Sequence, residues 1–248
     1  MTRDASQLPE EVLQPPADGQ GALPSDDRLA ADLRGLGPLG IVAILLIVVS
    51  GNVIVGNMVV VPIGAFLVLV WAWRSRTPWR EIGYVRPKSW IGTLAAGLAF
   101  GSAFKILMKM IVMPLLGADP INRAYHFLAG NRAMLPAAVW AMLVAGFAEE
   151  TVFRGYMFER GGKFFGSGAG AKALIVLVTS GWFGLAHYAD QGLAGAEQTV
   201  IVGLVFGTIF AVTGRIWMLM CAHAAFDLTA LAMIYWNLES KVAHIVFR

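Results

Sequence analysis

The sequence predicts an all-α protein that crosses a membrane several times: a polytopic transmembrane helix bundle with about seven spans (six to eight) and interfacial helices. Hydrophobic residues make up 57% of the 248 residues and charged residues only 14%, and the mean hydropathy is +0.66. These values lie outside ordinary soluble usage. The apolar residues also come in runs that approach the length of a spanning helix, about 20 residues. We therefore expect one compact bundle rather than several soluble domains.

The charge of the chain fits the same class of protein. A formal net charge of +3 and a pI near 9.2 would favour a nucleic-acid partner in a soluble protein. Here the basic residues flank apolar runs, as in membrane proteins, so we predict a lipid bilayer and no nucleic acid as partner. The single cysteine, Cys221, lies in an apolar run and is expected to pack there.

Four regions follow one another along the chain. Residues 1–36 are predicted to form a flexible cytoplasmic tail, since they are polar and rich in Pro and Gly and carry no cleavable signal. Residues 37–78 are predicted to form an N-terminal hairpin of two short spans, one of which can instead be re-entrant. We expect residues 79–236 to form the core and residues 237–248 an interfacial C-terminal tail. Interleaved Trp, Tyr and Arg place residues 74–88 at the headgroup level. The seven predicted spans are residues 39–56, 58–73, 90–116, 135–158, 171–188, 199–212 and 216–236.

The distribution of Lys and Arg predicts the orientation. Basic residues concentrate in the tail, after the second span and after the fourth span, so we expect an inside N-terminus, at the plasma (inner) membrane if the source is bacterial. Lys105 and Lys109 instead lie within the third span, one turn apart. Such lysines either snorkel to the membrane surface or line an aqueous groove.

The fourth predicted span carries two adjacent carboxylates, Glu149 and Glu150, and a cation, Arg154. Ionised groups are costly in hydrocarbon, so they face a protein interior or a wet cavity. Glu150 and Arg154 are four residues apart and can pair on one helix face, in a supporting role. Glu149 lies about 100° around the axis and stays available for chemistry.

Partners for Glu149 occur on two other predicted spans. His187 ends the fifth span, and His223 and Asp227 share a face of the seventh. Each residue also has a plainer interpretation: a buried histidine can simply join two helices, and Asp227 can fix the tautomer of His223. These side chains nevertheless lie on three separate apolar helices: an acid on the first, an imidazole on the second, and an imidazole with an acid on the third. Such a distribution favours a catalytic site.

This set of residues suits the activation of water. A carboxylate and an imidazole that share a water can remove its proton, and a second imidazole can stabilise an oxyanion. Glu149, His187, His223 and Asp227 can alternatively bind Zn²⁺, although no His-Glu-x-x-His motif occurs. Metal-assisted and metal-free hydrolysis are equally compatible with the sequence. No serine nucleophile elbow or phosphate-binding loop is visible.

Three motifs on successive helices resemble the CPBP family, the CAAX-protease and bacteriocin-processing (Abi) intramembrane proteases that include the type II CAAX prenyl endopeptidases. The motifs are Glu-Glu-x-x-x-Arg, Phe-x-x-x-His and His-x-x-x-Asn/Asp, here starting at Glu149, Phe183 and His223. The similarity covers roughly residues 79–236. It implies an endopeptidase in which Glu149 and His187 activate water, and His223 and Asp227 stabilise the oxyanion.

One position departs from the pattern of the prenyl-protein enzymes, which usually have Asn where this chain has Asp227. An ionised aspartate would repel an oxyanion, so Asp227 must be protonated, orient His223 or bind a metal. The resemblance therefore implies a membrane-associated protein or peptide as substrate, of CAAX type or of bacteriocin or leader type.

Two other classes of function remain compatible with the sequence. A non-catalytic membrane scaffold, such as an immunity or adaptor protein, would use the same polar residues for helix contacts. A transporter or channel would use Lys105, Lys109 and Glu149 as a polar path, but the chain shows no internal repeat.

Overall fold

The computed structural model describes residues 25–50 and 60–247, and these residues form an α-helical bundle without strands. The predicted all-α class is confirmed. The main helices are α1 (Ser25–Arg34), α2 (Pro38–Ser50), α3 (Val60–Arg74), α4 (Trp90–Leu115), α5 (Leu135–Phe165), α6 (Ala169–Thr213), α7 (Trp217–Tyr235) and α8 (Glu239–Ala243). Two 3₁₀ turns, Trp79–Ile82 and His126–Leu128, lie in the connections.

The number of long apolar helices is smaller than the predicted number of spans. Within the described residues, four helices (α4 to α7) are long and apolar enough to cross a membrane, or five if α1 and α2, bent by 52°, count as one span. Two features account for the difference. In the part of the chain that the structure describes, α2 and α3 have 13 and 15 residues, below the usual spanning length, and both border residues 51–59, which it does not describe. α6, with 45 residues, contains both the fifth and the sixth predicted span.

α6 is a hairpin of two antiparallel arms that reverses at Gly192. This residue has φ 65° and ψ −165°, a conformation outside the helical region that glycine adopts readily. Lys172 Nζ donates to Ala211 O across the arms at 3.0 Å. A Cβ on Gly203 would lie 2.9 Å from Ser180 Cα, so the arms approach closely. Each arm corresponds to one predicted span.

Glycines also hold α7 against its two neighbours. A Cβ on Gly101 of α4 would lie 2.0 Å from Ala222 O, and one on Gly146 of α5 would lie 2.6 Å from Ala224 N. Gly101 follows Gly97 by four residues, the small-residue spacing of closely packed membrane helices. His223 lies between Ala222 and Ala224, so these contacts fix its position between α4 and α5.

The predicted tail, residues 1–36, stays a prediction, and the structure describes only its last part, which packs against the bundle. Residues Ser25–Arg34 form α1, and Trp71 Nε1 of α3 donates to Leu33 O at 2.9 Å. The guanidinium of Arg160 donates to Arg34 O and Gly35 O, both at 3.0 Å, and so caps the C-terminal end of α1. The remainder of the predicted tail, residues 1–24, and the turn of the predicted hairpin, residues 51–59, lie outside the described residues.

Candidate active site

His223 is held from behind by two residues of α5. Its Nδ1 lies 2.7 Å from Glu150 Oε1, and the same oxygen accepts from Arg154 Nη1 at 2.8 Å. All three side chains are buried. The guanidinium of Arg154 in turn stacks over the Phe183 ring of α6, 4.9 Å from its centroid. Glu150 therefore contacts both Arg154, as predicted from their spacing, and the imidazole of His223, which the spacing did not predict.

The other ring nitrogen of His223 faces two carboxylates. Nε2 lies 3.5 Å from Glu149 Oε2 and 3.7 Å from Asp227 Oδ2. Asp227 therefore approaches Nε2, while Glu150 occupies Nδ1 and determines which nitrogen carries the proton when the ring is neutral. The carboxylate that orients the ring is thus Glu150.

His187 presents a free nitrogen to the same region. Its Nδ1 lies 2.8 Å from Phe183 O. A carbonyl oxygen can only accept, so Nδ1 carries the proton and Nε2 of the neutral ring keeps its lone pair. The Phe183 ring packs edge-on against both imidazoles, with centroids 4.7 Å from His187 and 5.9 Å from His223. One aromatic side chain thus separates and positions the two histidines.

These residues surround one cavity of about 330 Å³ between α4, α5, α6 and α7. Its polar lining side chains are Lys105, Asn122, Tyr125, Glu149, His187, Asp190, Gln191, Gln198, Thr199, His223 and Asp227. The volume is in the range of small-molecule sites and suits a short peptide segment. The structure thus places Glu149, His187, His223 and Asp227 around one space, with Glu150 and Arg154 behind His223.

The helix that carries the carboxylates changes its geometry next to them. α5 widens into a π-helical turn over Thr151–Tyr156, directly after Glu150. Such turns occur often at functional sites. Thr151 Oγ1 donates to Phe147 O and lies 2.8 Å from the hydroxyl of Tyr84, so the predicted headgroup segment anchors this turn. The periodicity of the sequence gave no sign of the change.

The two lysines of α4 have different surroundings. Lys105 is buried and lines the cavity, where its Nζ donates to Gln198 Oε1 at 2.8 Å. Lys109 Nζ lies 2.5 Å from Pro120 O and 3.3 Å from Glu239 Oε1, so it joins the loop after α4 to α8. Of the two alternatives for Lys105, the structure matches the polar groove and not the membrane surface.

Tyr125, in the loop between α4 and α5, was not among the predicted site residues. Its hydroxyl accepts from Gln191 Nε2 at 3.2 Å, and its side chain lines the cavity. Burial, and then the charges of Asp227 and Glu149, raise the pKa of Tyr125 to about 12. The phenol therefore keeps its proton at neutral pH. A loop residue so far from the motifs carries no sequence signal that links it to them.

The donor set does not converge on a metal position. Across residues 25–50 and 60–247, no group of three or more His, Cys, Asp or Glu side chains has a geometry that could hold a metal ion. His187 Nδ1 and His223 Nδ1 are both engaged with protein acceptors, which leaves Nε2 as the available nitrogen of each ring.

Comparisons with known proteins agree with the resemblance seen in the sequence. Residues 131–229 match the family model described as type II CAAX prenyl endopeptidase Rce1-like. The matched segment contains all three motifs and ends two residues after Asp227. No curated protein and no solved structure matches the chain. The match confirms the resemblance to the CAAX-protease family, and with the long apolar helices it indicates an integral membrane peptidase.

Proposed function

We propose that this protein, whose α5 to α7 region matches a CAAX-type endopeptidase family, hydrolyses a peptide bond of a membrane-associated protein or peptide by means of water activated by Glu149 and His187. One observation carries the proposal. Glu149 and His187 line the same cavity, the Nδ1 of His187 is engaged by Phe183 O, and Glu149 lies beside the oriented ring of His223.

Glu149 is the general base. Glu150 is committed to Arg154 and His223, whereas Glu149 has only the 3.5 Å contact to His223 Nε2 among the described ion pairs. A water between Glu149 and His187 Nε2 would donate one proton to each acceptor, which orients a lone pair toward the substrate carbonyl. Glu149 takes the proton as the water oxygen bonds to the carbonyl carbon. It then returns that proton to the amine nitrogen as the C–N bond breaks, which leaves a carboxylic acid and an amine.

His223 stabilises the tetrahedral oxyanion. Because Nδ1 donates to Glu150, Nε2 can donate to an oxyanion only when the ring carries both protons. The charges of Glu150 and Glu149 offset such an imidazolium. In this arrangement Asp227 carries a proton when the oxyanion forms, and its hydroxyl serves as a second donor.

A panel of quenched fluorescent peptides, anchored to micelles by an N-terminal acyl chain, tests the proposal with detergent-purified protein. Wild type should cleave at least one peptide, and His187→Ala should lower kcat by about 100-fold, the lower end of a general-base contribution. His244→Ala, a matched change at an exposed histidine, should leave kcat unchanged. Equal cleavage by wild type and His187→Ala would refute the role of His187. A wild type that cleaves no peptide would favour the scaffold class.

The same assay decides the role of a metal. The proposed reaction requires no metal ion. Activity should therefore persist after dialysis against a chelator, and purified protein should contain less than stoichiometric zinc by mass spectrometry. Loss of activity in chelator, restored by Zn²⁺ and accompanied by about one zinc per chain, would replace this mechanism with a metal-assisted one.

A further inference from the structure

Lys105 is a buried cation that the proposed mechanism does not use. Its side chain is only 5% exposed, and its Nζ lies 4.7 Å from the centroid of the Phe226 ring. Phe226 is flanked on α7 by the His223 and Asp227 side chains of the site. Lys105 is therefore a near neighbour of the reacting groups without being one of them.

No carboxylate neutralises Lys105 at contact distance. Lys109, one turn along α4, has Glu239 Oε1 at 3.3 Å, but no acid of the described chain lies within 4 Å of Lys105 Nζ. Its hydrogen-bond partner is the neutral amide of Gln198. An ammonium group has three donors, so two remain for a ligand. Of the described residues that line the cavity, Lys105 is the only Lys or Arg.

Lys105 also lies where two cavities meet. A second cavity, of about 200 Å³, extends toward the loop after α4. The polar residues that line both cavities are Lys105, Asn122, Gln191 and Gln198. A peptide bound with its reacting bond near Glu149 can therefore extend past Lys105 into this second space. The amide side chains shared by the two cavities can hydrogen-bond a peptide. The two acids that line the second cavity, Asp119 and Glu239, contact Arg123 and Lys109 instead of Lys105.

We propose that Lys105 binds a carboxylate of the substrate, its free C-terminal α-carboxylate, and so directs cleavage to bonds close to a chain end. The proposal rests on the proposed function, because it assigns specificity to the same cavity. A buried ammonium with no carboxylate in contact is unfavourable, and a substrate carboxylate supplies both that contact and a charge-assisted hydrogen bond. CAAX motifs are C-terminal, so a substrate of that type ends in such a group a few residues beyond the cleaved bond.

The test compares one peptide in two forms. The best-cleaved member of the peptide panel is synthesised with a free C-terminal carboxylate and with a C-terminal amide. Wild type should cleave the acid about 30-fold better in kcat/KM, mainly through a lower KM, as expected for a hydrogen bond to a charged group. Lys105→Met should remove the preference by weakening cleavage of the acid alone, and Lys105→Arg should restore most of it.

Lys109→Met is the matched control on the same helix, because Lys109 already has Glu239 as partner. It should keep the preference of wild type for the acid. A wild type that cleaves acid and amide equally well would overturn the proposal. A Lys105→Met protein that loses activity on the free-acid and the amide peptide to the same extent would also overturn the proposal. That result would mean that Lys105 only balances the negative charges of the site.

A carboxylate can also come from an Asp or Glu side chain inside the peptide. A third peptide, with its internal acids replaced by amides and its C-terminus free, separates the two sources. Retained preference supports the terminal carboxylate. Loss of cleavage with this peptide, together with insensitivity to C-terminal amidation, would assign Lys105 to an internal acid and overturn the proposal as stated.

Binding to the Glu149→Gln protein separates this proposal from the proposed function. The free-acid peptide should raise the thermal unfolding temperature of Glu149→Gln more than the amide does, and Lys105→Met in that background should abolish the difference. If this result is obtained with a wild type that hydrolyses nothing, the carboxylate site stands and the peptidase assignment fails. If wild type hydrolyses peptides but binding does not distinguish acid from amide, the carboxylate site fails alone.

Discussion

Two clusters of charged side chains are centred on the same helix, α5, and they differ in what surrounds them. The docking cluster consists of Glu159, Arg160 and Lys163. Glu159 contacts both Arg160 and Lys163, and Arg160 donates to the backbone at the end of α1 and stacks over Trp71 at 4.5 Å. Cations at a helix C-terminus also complement its dipole. None of these side chains lines the cavity that contains His187 and His223.

The cavity cluster consists of Glu149, Glu150, Arg154, His223 and Asp227. It contains three acids and one obligate cation, and of the three acids only Glu150 contacts that cation. Glu149, His223 and Asp227 line the cavity, where a substrate or water can contact them. Buried charge on α5 therefore does not by itself indicate chemistry. A position on the lining of an accessible cavity separates the catalytic candidate from the structural contact.

The largest contrast is expected between two Glu→Gln changes on α5. Glu149→Gln removes the proposed general base and should lower kcat by about 10³-fold, with little change in thermal unfolding. Glu159→Gln removes the acid between two cations and should lower the unfolding temperature while the folded protein keeps its kcat. Peptide cleavage and thermal unfolding in detergent, measured on both variants, check the contrast. If Glu149→Gln and Glu159→Gln lower kcat to a similar extent, the division into a catalytic and a structural cluster is wrong.

Glu150→Gln should have the next largest effect. The glutamine side chain can still accept a hydrogen bond from Arg154, but it has no negative charge. The carboxylate of Glu150 keeps Nδ1 of His223 as a donor and offsets the charge of an imidazolium, and both effects are lost. We expect kcat to fall by about 100-fold and KM to change little, since the substrate does not contact Glu150. Steady-state kinetics provide the measurement. A rise in KM at constant kcat would instead mean that Glu150 supports substrate binding.

Arg160→Met should change stability and leave catalysis nearly intact. It removes two hydrogen bonds to the end of α1 and unbalances Glu159, although Lys163 remains as partner of that acid. We expect a loss of about 2–4 kcal/mol in the free energy of unfolding, in the range for a buried pair that loses one member. Protease should cleave residues 25–50 faster, whereas kcat of the folded protein should change by less than about twofold. Retained protection of this segment would show that Trp71 and other contacts suffice to dock α1.

The sequence predicts a feature well when burial of a single charged residue in an apolar segment is costly by itself. Charged groups in apolar runs identified Glu149, His187, His223 and Asp227, and the structure arranges all four around one cavity. Three other features depend on contacts between distant segments. The bond from Glu150 to His223 joins α5 to α7, and the burial of Lys105 follows from its position opposite α6. The packing of α1 against the bundle involves Arg160, which is more than 100 residues away along the chain.

Asp227→Asn is expected to have the smallest effect, and it tests the role of the third acid of the cavity cluster, which lies beside the oxyanion site. If Asp227 acts as a protonated donor, an asparagine amide can replace it, and kcat at low pH should stay within about threefold of wild type. Wild type should lose activity as rising pH ionises Asp227, because a carboxylate next to His223 Nε2 repels the oxyanion. The asparagine variant cannot ionise, so its pH–kcat profile should lack this decline. A large loss of kcat at every pH would mean that the negative charge of Asp227 is required, and its role would then be to hold His223 in the charged form.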